Sequence, residues 1–386
     1  MDFDRPIERR GSASFKWDLY PEDVLPLWVA DMDFAAPPPV VAALEARVAH
    51  GVYGYCGTPD SLIEAVVDHL ATRYGWRIEP KWLFWLPSVV PGLEMTCRGF
   101  AGEGEAVMTV TPVYPPFLEA PPHQGRRLVT VPALFDEAAG VTTGVPPATC
   151  WRLPLEDMAA ACTPDTRALL FCHPHNPLGR VWRRDEVEVV VSFCRERGLV
   201  LCSDEIHCDL LLDPLDHVPA ALLSDEAAEI TITLMSPSKT FNLPGLNFAF
   251  AVIPNEELRR RFAAAGEGLL PFPGCFAIAA AEAAYREGGP WLAELLEYLR
   301  GNAGLVERFV RDELPRVRIT HLEATYLAWL DVRAVGLPDP AAACVRAGVA
   351  LSDGADFGAP GFLRLNFACT RATLLEALSR LRGVVG

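Results

Sequence analysis

"ITITLMSPSKTFNLPG" occupies residues 230–245. Its first six residues are apolar or β-branched and read as a buried strand. The strand stops at a turn, Ser236-Pro237-Ser238, that carries Lys239. Lysine is rarely placed inside a protein unless something compensates its charge. On a hydroxyl-rich turn at a strand end it has two chemical uses. It can bind a phosphate, or it can form a Schiff base with a carbonyl.

Working outward, "FAFAVI" (248–253) follows as a further strand. Upstream, "WLFWLP" (82–87), "AVMTV" (106–110), "RALLFC" (167–172) and "LVLCSDEI" (199–206) also read as strands. "GLEMTCRGF" follows the first of these as a helix. "RRDEVEVVVSFCRERG" has helical spacing and closes on Gly198, a C-terminal cap. Such alternation predicts an α/β fold, a large domain with a mostly parallel sheet between helices. After about residue 276 the texture changes. "AIAAAEAAYREGG" and "PWLAELLEYLRGNAGLVERFVRDEL" are helical, "THLEATYLAWLDV" and "GFLRLNFA" extended, and "RATLLEALSRL" helical again. The expected organisation is an N-terminal segment 1–45 joining a small domain, a large domain 46–275, and a small α+β domain 276–386.

The bulk composition narrows the class. A chain of 386 residues is long for one core and, at 51% apolar residues, is not disordered. Its net charge of −16 argues against nucleic acid and anionic membranes as partners. No run of about twenty apolar residues predicts a membrane span, and "MDFDRPIERRGSASF" lacks the apolar core of a signal peptide. Eleven scattered cysteines without a CxxC pair point to a reducing cytoplasm. Cys202, Asp204, His207 and Cys208 match no zinc spacing, so no metal is expected.

Four predicted strands end in polar residues, and ligands of open α/β sheets gather beyond such ends. "PSVVPGLE" (87–94) opens a helix whose free N–H groups suit a phosphate. "HPHNPLGR" (173–180) carries Asn176, "SDEIHCD" (203–209) carries Asp204 and His207, and "SPSK" carries Lys239. Singly, each has a plain alternative, as a turn, a helix cap or a solvated charge. As an ordered set they match one cofactor. Pyridoxal phosphate has an aldehyde for a lysine, a phosphate for hydroxyls and a helix start, a phenolic oxygen for a donor, and a pyridine nitrogen for a carboxylate.

These motifs resemble those of the fold-type I pyridoxal-phosphate enzymes, the class I/II aminotransferase family. "PLWVADMDF", "GVYGY", "TPVYPPF", "PHNPLGRVW", "SDEIHCDL", "PSKTFNLPGL", "TYLAWLD", "ALSDGADFG" and "GFLRLNFAC" extend the resemblance along the chain to its cystathionine β-lyase (MalY/PatB-type) branch. The resemblance implies roles. Lys239 would hold pyridoxal 5'-phosphate and move the substrate's α-proton. Asp204 would face the pyridine nitrogen, Asn176 and His207 the phenolic oxygen, and Tyr114 the ring face. Val89, Val90, Ser236 and Ser238 would take the phosphate, joined by Tyr55 from the neighbouring subunit of a homodimer with shared sites. Arg364 would clamp the substrate carboxylate with a planar fork. Two departures stand out. Asn247 occupies the place, eight residues after the lysine, where many aminotransferases have a phosphate-binding arginine, and "LPFPGCF" (270–276) matches the branch least.

The implied activity is a carbon–sulfur β-lyase that cleaves cystathionine or another cysteine S-conjugate to thiol, pyruvate and ammonia. An aminotransferase shares every step up to the carbanion. A specialised natural-product C–S lyase and a non-catalytic cofactor-binding regulator are further readings; Lys239, Asp204 and Arg364 together argue against the last.

Overall fold

The computed structural model describes residues 1–136 and 150–386. Seven strands form the central sheet: β1 (Leu83–Leu86), β2 (Ala106–Thr111), β3 (Arg127–Pro132), β4 (Thr166–Cys172), β5 (Val200–Asp204), β6 (Thr231–Met235) and β7 (Ala249–Val252). Their order is β1-β7-β6-β5-β4-β2-β3. All run parallel except β7, which is antiparallel to both β1 and β6. The reason is local. A parallel connection needs a crossover helix, and residues 236–248 supply only a one-turn helix and a short 3₁₀ turn. The strand β3 is not predicted by the sequence. It is the sheet's edge, mostly solvent-facing, and so lacks the continuous apolar run of its neighbours.

Successive strand residues point to opposite faces, and the core divides accordingly. Along β4, Ala168, Leu170 and Cys172 join one apolar layer while Leu169 and Phe171 join the other. Five helices matter to the central sheet: α1 (Pro38–His50), α2 (Asp60–Tyr74), α3 (Val89–Phe100), α4 (Arg184–Arg197) and α5 (Glu256–Gly266). Helices α3 and α5 supply Leu93, Cys97, Leu258 and Phe262 to the first layer, and α4 supplies Val187, Val190 and Phe193 to the second. Helix α3 starts three residues earlier than its sequence suggests, because Pro91 falls in the first turn, where an N–H has no intrahelical acceptor. Gly92 brings α3 against the sheet: a Cβ there would stand 2.7 Å from Leu234 Cδ2. Helix α4 ends on Gly198 in the left-handed conformation (φ 65°), as its sequence predicts.

The remaining chain adds α6 (Cys275–Glu287), α7 (Gly289–Glu313) and α8 (Arg371–Val385) around a four-stranded antiparallel sheet. Its strands are β8 (Arg318–Ile319), β9 (Leu327–Asp331), β10 (Ser352–Asp353) and β11 (Phe362–Asn366), ordered β8-β9-β11-β10. The N-terminal segment reaches this region, since Leu25–Pro26 pairs in parallel with Val349–Ala350. Among the described residues, no helix is long and apolar enough to cross a membrane.

Candidate active site

The strand register places the polar motifs side by side. Cys172 at the end of β4 pairs with Asp204 at the end of β5, which pairs with Leu234 of β6. Beyond β6, Ser236 caps the one-turn helix Pro237–Thr240 that presents Lys239. One pocket is lined by Ser88, Val89 and Val90, by Tyr114 and Asn176, and by Asp204, His207, Ser238 and Lys239. It lies past the carboxyl ends of the parallel strands, where the fold leaves its helix starts and side chains unpaired.

The Lys239 amine donates to the Ala30 carbonyl at 2.6 Å. Burial lowers its proton affinity to about 8, with the Arg364 charge acting in the same direction and Asp31 and Asp204 opposing. An amine near this value is charged or neutral at little cost, which suits a nucleophile or base.

Asp204 is 2% exposed. Its Oδ1 accepts one hydrogen bond, from the Ile206 backbone N–H at 3.1 Å. No arginine, lysine or histidine forms an ion pair with it among the described residues. Burial therefore pushes the carboxyl up to about 7, against the pull of that hydrogen bond and of the Lys239 charge. A buried carboxylate without a cation is expensive to keep, so this position is built for a cationic group.

At the other end of the pocket Ser88 precedes α3, and Val89 and Val90 are its first two residues. Their N–H groups belong to the first helical turn and have no intrahelical acceptor. Such free N–H groups suit an anion, and Ser238, whose hydroxyl lies 2.8 Å from Ser236 Oγ, lines the same pocket. Burial raises the Tyr114 phenol, so the ring stays neutral. His207 is buried with Nδ1 unpartnered. Burial first, then the Lys239 and Arg364 charges, lowers its proton affinity to about 3, so it is a neutral imidazole.

Arg364 lies mid-way along β11, opposite Trp329 and Ser352. Its Nη1 donates to Asn176 Oδ1 at 3.1 Å, and its Nη2 to the Trp28 carbonyl at 2.9 Å and Ser352 Oγ at 3.2 Å. It is buried, its Nε is unpartnered, and it forms no ion pair with a carboxylate among the described residues. Burial lowers its proton affinity to about 10, which leaves it charged at neutral pH. An uncompensated guanidinium here matches an anionic ligand group.

One expected pocket residue falls elsewhere, and two further residues singled out in the sequence lie outside this chain's pocket. Ser236 does not line the pocket. Its hydroxyl donates to the Phe248 carbonyl at 2.6 Å and accepts from the Ser238 N–H at 3.0 Å, so the turn itself uses the group assigned to the phosphate. Tyr55 is fully exposed between α1 and α2, outside this chain's pocket. Asn247 is exposed at a left-handed position (φ 54°) and does not line the pocket either. Conversely, Ala30, Tyr326 and Asn242 hold the lysine region and were not singled out. Ala30 contributes only its carbonyl, which no side-chain pattern reveals.

An amine at the floor, a carboxyl awaiting a cation and an anion seat are what pyridoxal phosphate requires, and the residues fit that group. The sequence profile of the "Aminotransferase class I and II" family matches residues 22–381, and the chain belongs to that family. Among its relatives, cystathionine beta-lyase PatB of Bacillus subtilis is 37% identical over the full length of both chains. The crystal structure of OvoB superposes with a TM-score of 0.94 at 42% identity, covering 100% of this chain and 99% of that one. Cystalysin from Treponema denticola, whose structure contains a pyridoxal 5'-phosphate cofactor, gives 0.92 at 30% identity, covering 99% and 98%.

Proposed function

We propose that the chain is a pyridoxal-phosphate-dependent carbon–sulfur β-lyase acting on a cysteine thioether such as cystathionine. The observation that carries the cofactor-dependent part of this reading is Asp204, a buried carboxyl with one neutral hydrogen-bond donor in the same pocket as a lysine of lowered proton affinity; the likeness to cystathionine beta-lyase PatB over the full length of both chains supports the lyase part. When bound, pyridoxal phosphate supplies a sink for the electron pair left at the α-carbon of an amino acid, which allows a β-thiolate to depart.

The residues divide the remaining work. Lys239 Nζ would hold the cofactor through its aldehyde and, as a free amine, would take the substrate's α-proton. Asp204 would keep a proton on the ring nitrogen. Val89 and Val90 N–H groups and the Ser238 hydroxyl would bind the phosphate, Tyr114 would cover the ring, and Asn176 and His207 would meet the phenolic oxygen. Arg364 receives the α-carboxylate, and its bond to Asn176 ties that grip to the cofactor's position. The departing products are a thiol and, after hydrolysis, pyruvate and ammonia.

The enzyme is read as a cytoplasmic homodimer. Tyr55 and Phe272 are 109% and 86% exposed in the single chain, apolar surface that a second subunit would take out of water. Tyr55 then completes the phosphate seat of the partner's site.

The test is product partition. Purified protein given cystathionine and several cysteine S-conjugates should release thiol and pyruvate in equal amounts without an added keto acid. Turnover that requires a keto-acid acceptor would replace this reading with an aminotransferase.

A further inference from the structure

The N-terminal segment meets the lysine more closely than a covering strap requires. The Ala30 carbonyl accepts from Lys239 Nζ at 2.6 Å and from the Tyr326 hydroxyl at 2.9 Å. Asn366 Nδ2 donates to the carbonyls of both Val29 and Asp31, each at 2.6 Å. Asn242, three residues after the lysine, is bonded to Met32 and Phe34. The turn from Val29 to Phe34 is thereby fixed to the lysine's own turn and to the small sheet at once.

The charges on this turn are also arranged. Asp31 is clamped by Arg9, whose Nη1 and Nη2 donate to its two oxygens at 3.1 and 2.8 Å. The buried Lys16 amine stands 3.5 Å from the same carboxylate. Arg9 and Lys16 also pair with Asp33, at 2.6 and 3.0 Å. Asp31 is thus a carboxylate held ionised on the residue following the carbonyl that receives the Lys239 amine.

We infer that the Val29–Asp31 turn is the docking place of the free Lys239 amine, and that Asp31 is a positioning residue which, with Arg9, governs how readily that amine carries a proton. The inference rests on the proposed function for what the amine does. The Ala30 carbonyl accepts a hydrogen bond from the amine in either protonation state, so it fixes place. The Asp31 charge favours the ammonium form, and Arg9 and Lys16 partly cancel that charge. The other charged or titratable groups around the amine are Arg364 from β11, which opposes protonation, Asp204 from the end of β5, which favours it, and His207, neutral in this site. Tyr114 and Tyr326 complete the surroundings as neutral phenols. Asp31 is the strongest of the favouring charges.

The test uses the full chain, freed of cofactor and then reloaded with pyridoxal phosphate at a series of pH values. Loading requires the neutral amine: its lone pair attacks the aldehyde carbon, a C=N bond replaces C=O, and one water leaves. The loading rate therefore reports the amine's proton affinity without any turnover. Asp31→Asn should move the pH midpoint of loading down by about half a unit or more, and Arg9→Gln should move it up. Opposite shifts from two variants of one ion pair are not produced by general loosening of the fold. Unchanged midpoints, or shifts of the same sign, overturn the inference while leaving the functional reading intact. Failure of the wild-type chain to load at Lys239, read by borohydride reduction and peptide mapping, overturns both.

Discussion

Asn242 and Met32 exchange two hydrogen bonds across 210 residues of sequence: Met32 N–H donates to Asn242 Oδ1 at 3.0 Å, and Asn242 Nδ2 donates to the Met32 carbonyl at 3.0 Å. The same Nδ2 reaches the Phe34 carbonyl at 2.8 Å. Asn242 sits at φ 57°, a left-handed position that asparagine tolerates better than most residues. Two substitutions separate these roles. Asn242→Gly removes the bonds but keeps the backbone easy, and should cost about 1–3 kcal/mol from unpaired groups. Asn242→Ala should cost a further ~1 kcal/mol for the strained φ. Urea unfolding of both variants checks this; equal stabilities would show that the backbone conformation contributes nothing.

Asp204→Asn should act on stability and activity in opposite directions. Asp204 is an acid whose folded-state value, about 7, lies above its ordinary one. Its ionisation therefore opposes folding of the cofactor-free protein. That cost is absent below about pH 4, grows as pH rises, and is complete above about 7. The cofactor-free variant should accordingly be more stable than wild type at about pH 8, by on the order of 2 kcal/mol, and the gap should close near pH 4. The same variant should lower kcat with cysteine conjugates by about a hundredfold or more, because an amide does not keep the ring nitrogen protonated. Thermal melts across pH and steady-state kinetics are the two measurements.

Lys239, Asp204 and Asn176 were legible in the sequence for a physical reason. Asp204 ends a strand and Asn176 and Lys239 each follow one, the strands plain in period and burial, and a parallel sheet directs such positions to one edge. The supports of Lys239 were not. Asn242, Tyr326 and Ala30 act through contacts that span from 208 to 296 residues, and one of the three is a bare carbonyl. The strand β3 escaped because an exposed edge has little apolar signal. The place of Ser236 is not legible because a hydroxyl near a lysine looks the same in sequence whether it faces a pocket or caps a turn.

His321 ties three parts of the chain together and should make stability depend on pH at the alkaline side. Its Nδ1 lies 2.9 Å from Glu307 on α7, and its Nε2 2.8 Å from Asp213. The Glu307 hydrogen bond first, then the charges of Glu307 and Asp213, raise its proton affinity to about 9, against some burial. A histidine raised in the folded state contributes fully below its unfolded value of about 6.5 and loses that contribution as pH climbs through about 9. The group is about a third exposed, so solvent screens the effect. Wild type should lose a few degrees of Tm between about pH 6 and pH 10 that His321→Gln does not lose. Parallel melting curves for the two proteins across this range would remove the assignment.

Arg364→Lys should damage the grip on the substrate more than the chemistry that follows. The arginine divides its donors between Asn176 Oδ1, the Trp28 carbonyl and Ser352 Oγ, while its guanidinium lies 4.7 Å over the Phe357 ring. A planar fork serves these partners and an incoming carboxylate together; a lysine ammonium in the same burial has one nitrogen and no plane. It also gives up its proton more readily when desolvated, so part of the variant would carry no charge at all. KM for cystathionine should rise about a hundredfold, kcat should fall by about tenfold, and the KM defect should worsen toward high pH. The kcat loss follows because a carboxylate held at one point no longer fixes the α-proton toward Lys239, and misorientation slows an elimination even in the filled site. Asn176→Ala in the Arg364→Lys background decides whether the two residues act as a unit. If the double variant is little worse than Arg364→Lys alone, the Asn176 contact works through the arginine. If the losses multiply, each meets the ligand independently.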